Sequence, residues 1–196
     1  NRSRSSRSTN SRSCDQAGLV VAKTLEKIRS EIAVGMTTAD LGALARESIA
    51  DHGATSSFLG YHGFPAVICA SVNDEVVHGI PGERVIESDD IVSIDCGAIV
   101  EGWHGDAAIS IVMPDASEDI HALSEATQSS LWAGLGQARA GNQLSDIGHA
   151  VEECIRGAGG FGIVEEYVGH GIGSEMHMHP PVPNYGRPGR GPRLEA

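Results

Sequence analysis

Two aspartates stand in otherwise apolar strand sequence, Asp95 in IVSIDCG and Asp106 in WHGDAAISIV. If Glu101 and Gly102 form a two-residue turn, Asp95 lies opposite Ala108, and Asp106 lies two residues from Ala108 on the same face of the hairpin. The alpha-carbons of residues in such a diagonal relation are roughly 7 to 8 Å apart. The two carboxylates can therefore converge on one object between them.

The chemistry of this pair depends on what compensates its charge. Two ionised carboxylates gather in apolar sequence only where a cation or a proton offsets them, and a metal ion is our first candidate. The alternative is that each aspartate is an edge-strand residue that faces water. Aspartate is depleted in strands, and the run before Asp95 is typical of a buried strand, so the metal hypothesis is favoured.

Histidines in glycine-rich or turn sequence are the next candidates. His170 lies in GHGIG, where flanking glycines allow the backbone to approach a ligand closely, although a plain loop residue is an equal alternative. His177 and His179 follow in MHMHP. His78 precedes a turn in EVVHGIP, and from its own position alone an exposed polar turn residue is the favoured interpretation. Carboxylates combined with imidazole suit Mn, Fe, Co or Zn. Two such ions activate water and polarise a carbonyl at neutral pH, which is hydrolytic chemistry.

Composition limits the class of protein. A chain of 196 residues with 40% hydrophobic and 20% charged residues can form one substantial core, and it contains no apolar run long enough to span a membrane. The formal net charge of -12 argues against a broad nucleic-acid-binding face and is compatible with attraction of cations. The four cysteines form no CxxC pair and are expected to be reduced and mostly buried. With no signal peptide in view, we expect a cytoplasmic protein without membrane or specific nucleic-acid partners.

The elements that must position these residues follow the order helix, helix, sheet. From Ala17 the spacing of apolar residues predicts a helix. A second helix is predicted to begin after the N-cap Thr37, with Asp40 completing a capping box. Strand sequence follows at 66–72 and again in the aspartate hairpin.

The same order begins again after Pro114, where we predict a long helix, a shorter helix capped by Ser145 and a strand over 161–168. Identical residues recur at a constant offset of 106: Gly35 and Gly141, Asp40 and Asp146, Gly42 and Gly148, Glu47 and Glu153, Ile49 and Ile155, Gly53 and Gly159. This pattern indicates an old duplication into halves of about 17–114 and 115–196, packed around a pseudo-twofold axis. By the same offset, the counterpart of the hairpin would occupy 201–212, so we expect the second half to be incomplete at the C-terminus.

The first residues differ from the rest of the chain. Residues 1–13 contain four arginines, no acidic residue and no large apolar side chain. Such a stretch can be a transit peptide, a nucleic-acid-binding tail or a sequence artefact. We expect residues 1–16 to be a disordered or non-native leader that precedes an incomplete catalytic domain over 17–196.

Several segments together resemble type I methionine aminopeptidases: FLGYHGFP at 58–65, SVNDEVVHGIP at 71–81, the aspartate hairpin, and GHGIG at 169–173. The resemblance runs from about Ala17 to Leu194. It implies an α/β (α+β) pita-bread fold of the creatinase/aminopeptidase class, whose internal symmetry agrees with the repeat. It also implies metal-dependent removal of the initiator methionine from nascent proteins whose second residue is small. Nascent peptide N-termini and the ribosome are the implied partners, and the complete protein is expected to be a monomer.

The resemblance also implies roles for individual residues. Asp95, Asp106 and His170 become ligands of a centre with two divalent ions, which Asp106 bridges. His78 would contact the region of the scissile amide, and His177 would steady the tetrahedral intermediate by donating toward developing negative charge. Both histidines are therefore expected to be catalytic and to contact substrate.

The methionine side chain is expected to enter a pocket formed by Phe58, Tyr61, Phe64, Cys69 and Met176. An apolar pocket with an aromatic rim is what an unbranched thioether can fill. The family has two further glutamate ligands on strands that would lie beyond residue 196. We therefore expect the 196-residue chain to be inactive, or nearly so, on a Met-Gly peptide supplied with Co or Mn.

Two other hypotheses stay open at this point. A non-catalytic pita-bread module could bind peptide N-termini or the ribosome, and tight binding without metal would favour it. A peptidase specific for Xaa-Pro bonds could share the same fold. The segments at 58–65 and 169–173 look more like the methionine enzymes.

Overall fold

Helix pairs alternate with β-structure along the chain. The computed structural model describes the backbone of residues 2–195 and the side chains of residues 12–195. The helices and strands in chain order are α1 Arg2–Glu31, α2 Thr38–Asp51, β1 Thr55–Ser56, β2 Ile68–Val72, β3 Ile91–Val100, β4 Trp103–Val112, α3 Glu118–Leu135, α4 Leu144–Ala158, β5 Gly169–Gly171 and β6 Met178–Val182. They form two compact units: the first runs up to Ser117 and includes Ile172–Met176, and the second comprises Glu118–Gly171 and the chain from His177. Within residues 2–195, no helix is both long and apolar enough to cross a membrane.

The first unit is built on a four-stranded antiparallel sheet. Strand β3 pairs with β4 along its whole length, and on its other edge it pairs with β2 and, farther along, with β1. Alternate side chains of β3 are buried in one core with residues of α1 and α2: Val92, Ile94, Cys96 and Ala98. The opposite face of β3 carries Asp95 and Gly97, so the helices support the sheet from behind the candidate site.

The hairpin between β3 and β4 has the predicted register. Glu101 and Gly102 have φ values of 50° and 80°, the left-handed conformation that a two-residue type I′ turn requires at both central positions. Asp95 pairs with Ala108, as expected, and Asp106 lies two residues away along β4. Side chains alternate along a strand, so both aspartates lie on the same face of the sheet.

Helices α1 and α2 pack against each other and against the sheet. A buried hydrogen bond of 2.9 Å joins the hydroxyl groups of Thr24 and Ser48 across the two helices. The predicted capping box of α2 is confirmed. The backbone N–H of Asp40 donates to Thr37 Oγ1 at 3.2 Å, and the backbone N–H of Thr37 donates to the Asp40 carboxylate at 2.8 Å.

Helix α1 begins well before Ala17, where the sequence predicted it, and therefore includes most of the segment expected to be a leader. The side chains of residues 1–11 lie outside the described part of the chain. Ser13 is buried, and its hydroxyl donates to the carboxylate of Glu101 at 2.8 Å. The last turn of that segment thus packs on the β3–β4 turn, and its assignment as a leader stays a prediction.

In the second unit, α3 packs on α4 through small side chains. The buried residues of α3 are Ala126, Ser130 and Gly134, and Gly134 lies against Val151 of α4. The strand predicted over 161–168 is wrong, because that stretch is irregular and the strand that follows it, β5, pairs with β6.

The predicted cap of α4 is also wrong in position. The N-cap is Gln143, whose backbone N–H donates to the Asp146 carboxylate at 2.8 Å. This box lies 106 residues after the box formed by Thr37 and Asp40, as the repeat requires. Ser145 instead accepts a hydrogen bond of 2.7 Å from the backbone N–H of Arg190.

The duplication is visible at the N-termini of α2 and α4. Each of these helix ends is hydrogen-bonded to a later segment of the chain, 82–86 for α2 and 190–194 for α4, which we call its returning segment. In the first unit, backbone N–H groups donate to carbonyls in three pairs: Gly35 to Ile86, Thr38 to Arg84, and Ala39 to Gly82. In the second unit the equivalent pairs are Gly141 to Leu194, Leu144 to Pro192, and Ser145 to Arg190. The donors differ by 106 positions and the acceptors by 108, so the two halves share this substructure and differ by two inserted residues.

Gly105 of β4 allows the strand to approach α1 closely. A β-carbon at this position would lie 2.6 Å from the backbone nitrogen of Gly18 and 2.7 Å from the carbonyl carbon of Ala17, so the helix would have to shift. We expect Gly105→Ala to lower the free energy of unfolding by about 1–3 kcal/mol, the usual cost of overpacking. Urea unfolding of the purified chain measures the change.

The matched control is Gly157→Ala in α4, where an added β-carbon meets nothing within 4 Å. Alanine is favoured over glycine inside helices, so this variant should be as stable as the wild type or slightly more stable. Equal losses of stability in the two variants would contradict the role assigned to Gly105.

Candidate metal centre and methionine pocket

The carboxylates of Asp95 and Asp106 are half-buried on the sheet face that points away from α1 and α2. The pKa of Asp95 is raised well above the ordinary aspartate value, first by burial, then by the negative charge of Asp106 and by a hydrogen bond with it. A hydrogen bond between two carboxyl groups requires a proton on one of them, so the pair retains a proton where no cation replaces it. Hard oxygen donors gathered in this way fit a divalent cation.

Two buried thiols lie beside the carboxylate pair. Cys69 of β2 pairs directly with Asp95, and Cys96 adjoins it in β3. Burial, and then the charges of Asp95 and Asp106, raise the pKa of each thiol to about 12. While no cation is bound, both cysteines are therefore protonated at neutral pH. The expectation of reduced, buried thiols is met at these two positions.

An apolar cluster lies beside the carboxylates in the same unit. Phe58, Cys69 and Met176 are buried together, and Phe64 packs against them. The rings of Phe58 and Phe64 meet edge to face, with centroids 6.4 Å apart. The structure thus brings together four of the five residues predicted for the methionine pocket. Tyr61, the fifth, is partly exposed in the short 3-10 turn that precedes Phe64.

Gly97 allows this cluster to lie directly on the sheet. It pairs with Asp106 across the hairpin, and a β-carbon added to it would lie 2.7 Å from the Phe58 ring and 2.8 Å from the β-carbon of Ser57. The ring of Phe58 therefore covers the backbone of β3 at Gly97, directly beside Asp106 on β4. A glycine inside a strand, two residues after a candidate ligand, was a signal of such a close approach that the sequence reasoning did not use.

His78 lies in a segment that runs along β2. The backbone N–H of Gly79 donates to Ser71 Oγ at 3.1 Å, and the N–H of Ala70 donates to the Gly79 carbonyl at 2.9 Å. His78 itself is exposed and has a φ of 61°. Non-glycine residues hold this left-handed conformation where the surrounding structure imposes it, often at functional sites.

The candidate histidines of the second unit face each other. His170 lies in β5 and His177 precedes β6, and their rings are tilted with centroids 4.2 Å apart. His170 Nδ1 lies 2.9 Å from the carbonyl oxygen of Gly171. Among the side chains of residues 12–195, no three His, Cys, Asp or Glu groups are drawn together as a metal-binding cluster. The carboxylate pair lies in the first unit and the histidine pair in the second.

Sequence reasoning missed His104, which lies on β4 two residues before Asp106. Its ring Nδ1 is hydrogen-bonded to Ser57 Oγ at 2.9 Å, and its backbone N–H donates to the Gly173 carbonyl at 2.8 Å. Burial lowers the pKa of His104, partly offset by the charge of Asp106. The alternation of side chains along β4 was the signal that placed His104 on the same face as Asp106.

Comparison with known proteins gives one consistent family. A family model described as Metallopeptidase family M24 matches residues 12–196. Methionine aminopeptidase 1 of Mycobacterium tuberculosis is 53% identical over 186 residues, which cover 92% of this chain and 70% of that protein.

Solved structures agree with the sequence comparison. The crystal structure of methionine aminopeptidase from Thermotoga maritima matches with a TM-score of 0.93 and 36% identity, covering 95% of this chain and 75% of that one. An X-Pro aminopeptidase from Thermotoga maritima matches with a TM-score of 0.77 at 22% identity, covering 96% of this chain and 51% of that one. The second likeness shows a shared fold alone. Together they identify the fold as the predicted pita-bread fold of α/β (α+β) class.

The raised pKa of Asp95 predicts a pH dependence of stability in the metal-free protein. Because the folded state holds the proton more tightly, its stabilising effect is complete below the ordinary aspartate value of 3.8 and is lost as the pH rises through the raised pKa. We expect the free energy of unfolding to fall across this window in chelator-treated protein. Urea unfolding at a series of pH values measures it.

Asp95→Asn keeps the size of the side chain and removes the titration, so the fall with pH should become shallower in this variant. Mn²⁺ or Co²⁺ added to the wild type at neutral pH should restore stability, because a cation replaces the proton. A slope in Asp95→Asn equal to that of the wild type would refute the assignment of this pH dependence to Asp95.

Proposed function

This chain belongs to the methionine aminopeptidases of metallopeptidase family M24, and we propose that it removes the initiator methionine from proteins whose second residue is small. The observation that carries the proposal is a juxtaposition within the first unit. An apolar cluster of Phe58, Cys69 and Met176 adjoins Asp95, which pairs directly with Cys69 and is coupled to Asp106. A side chain held in the cluster would place its own backbone near a pair of potential metal ligands.

The lining of the cluster suits methionine in particular. Two aromatic rings, a neutral thiol and a thioether offer polarizable contacts and no charge. An unbranched thioether with three rotatable bonds can adapt to such a lining and gains favourable sulfur–aromatic contacts. We assign Phe58, Phe64, Cys69 and Met176 to the walls of this pocket, and the partly exposed Tyr61 to its rim.

For the metal centre, we assign Asp95, Asp106 and His170 as ligands of two divalent ions chosen from Co, Mn, Fe and Zn. Oxygen and imidazole donors without thiolate support this set of metals. When bound, the ions supply Lewis acidity that activates water and polarises the scissile carbonyl. Before that, Asp95 and Asp106 would give up the proton that their mutual repulsion makes them hold, because the positive charge of a cation would favour both ionised carboxylates.

Two histidines are assigned to the peptide. His78 is proposed to contact the scissile amide, which its exposure and imposed backbone conformation support. His177 is proposed to donate toward the negative charge that develops on the carbonyl oxygen, where a positioned donor is most effective. The ring of His177 is exposed and rests against His170, so it is oriented while remaining accessible.

The biological setting rests on the family resemblance. We propose that the substrates are nascent chains met at the ribosome in the cytoplasm, and that the complete protein is a monomer. The two alternative functions are not favoured. The X-Pro enzyme shares the fold at only 22% identity, and a non-catalytic module has no use for two repelling carboxylates beside its pocket.

The full-length gene product, loaded with Mn²⁺ or Co²⁺, should release methionine from a Met-Ala peptide and leave a Met-Leu peptide intact. Asp106→Asn should lower kcat/KM by at least about 100-fold. Replacing a residue that only hydrogen-bonds to a metal ligand typically lowers activity or metal affinity by about 10- to 100-fold, and Asp106 is proposed to be a ligand itself. Released methionine, measured by chromatography, reports the rate.

A chelator should abolish the same reaction, and fresh metal should restore it. Preferred cleavage of an Ala-Pro peptide, or hydrolysis indifferent to both the chelator and Asp106→Asn, would refute the proposal.

A further inference from the structure

His104 joins two segments that no sheet pairing connects. Its half-buried ring is hydrogen-bonded through Nδ1 to the hydroxyl of Ser57 at 2.9 Å, a contact between residues 47 positions apart. Ser57 is buried and immediately precedes Phe58, which forms one wall of the apolar cluster. The ring of His104 therefore determines where that wall can stand relative to β4.

The backbone of His104 holds the opposite side of the same cluster. Its N–H donates to the carbonyl of Gly173 at 2.8 Å, and the N–H of Gly173 donates to the carbonyl of Glu175 at 3.1 Å. This short turn leads directly into Met176, which is buried against Phe58. His104 therefore contacts both sides of the cluster: its backbone holds the turn at Gly173, and its ring holds Ser57.

The path from β4 to Ser57 crosses β3 at a position without a side chain. The backbone N–H of Ser57 donates to the Gly97 carbonyl at 3.0 Å, and a β-carbon on Gly97 would lie within 2.8 Å of Ser57. Only glycine leaves room for the hydroxyl of Ser57 to reach His104. The contact therefore depends on a specific local arrangement beside Asp106, the partner of Gly97 in the hairpin.

We propose that His104 is a positioning residue for the methionine pocket: it sets the distance between the Phe58 wall and the Met176 wall, and relates both to the strand that carries Asp106. The inference rests on the proposed function for the identity of the pocket's occupant. It assigns His104 no contact with the substrate and no proton transfer. Its consequence is specificity for the side chain that enters the pocket.

The test is kinetic and uses the full-length gene product loaded with Mn²⁺. His104→Ala and Ser57→Ala should each raise KM for a Met-Ala peptide by about 3- to 10-fold, the effect of one lost hydrogen bond, with a smaller change in kcat. Both should also lower the preference for methionine over the isosteric norleucine at the first position. The double variant should be no worse than either single variant, because both remove the same contact.

Two further variants separate positioning from general damage to the fold. His104→Asn offers an amide near the position of Nδ1 that can donate or accept, and it should recover most of the wild-type KM. Ser110→Ala removes a hydroxyl pair of 2.8 Å with Ser93 on the same hairpin, and it should leave KM and the norleucine preference unchanged. Additive losses in the double variant, or unchanged KM and preference in both single variants, would overturn the inference.

A binding measurement keeps this inference separate from the proposed activity. Free methionine should raise the melting temperature of the 196-residue chain, and the rise should shrink in His104→Ala and Ser57→Ala but not in Ser110→Ala. If no peptide is hydrolysed but this pattern holds, the proposed activity fails and the positioning role stands. A rise that is absent in the wild type, or equal in all variants, would overturn the positioning role.

Discussion

Two carboxylates on one face of a hairpin repel each other unless a proton or a cation lies between them, and the first unit is organised around that constraint. The turn at Glu101 and Gly102 sets the register that places Asp95 and Asp106 diagonally. A slip by one residue would turn Asp95 into the core occupied by Ile94, so burial of the other face protects the register. The raised pKa of Asp95 reflects the repulsion between the two buried carboxylates, which a proton relieves when no cation is bound. A bound cation would replace that proton and relieve the same repulsion.

The apolar cluster lies on the same face of the hairpin as the carboxylates, and α1 lies on the other face; a glycine allows the close approach on each face. Gly97 has no side chain, so the ring of Phe58 lies directly on the backbone of β3 at the residue that pairs with Asp106. On the other face, Gly105 allows the backbone of α1 to lie directly on β4. The hairpin is therefore contacted closely on both faces, which limits its movement and preserves the separation of the carboxylates.

The sequence predicted those features that follow from local rules. The turn at Glu101 and Gly102 and the capping box at Thr37 are set by a few neighbouring residues, and both are confirmed. The strand expected over 161–168 is wrong, since apolar alternation alone cannot supply a pairing partner. The contact between His104 and Ser57 joins residues 47 positions apart and passes over a glycine, so it is a product of tertiary packing that no spacing rule detects.

The internal repeat explains the scaffold better than the chemistry. Gly42 and Gly148 lie where a helix meets a returning segment; a β-carbon would contact Pro81 at 3.4 Å in the first unit and the Pro183 carbonyl at 2.3 Å in the second. Close backbone packing therefore requires glycine at Gly148, whereas a β-carbon at Gly42 would make only ordinary van der Waals contact. Among the proposed metal ligands, His170 has a counterpart at the offset of 106 within this sequence, and that counterpart is Phe64 of the apolar cluster. The duplicated halves therefore share the backbone hydrogen bonds that hold a helix to its returning segment, whereas His170 and Phe64, at equivalent positions, differ in chemistry.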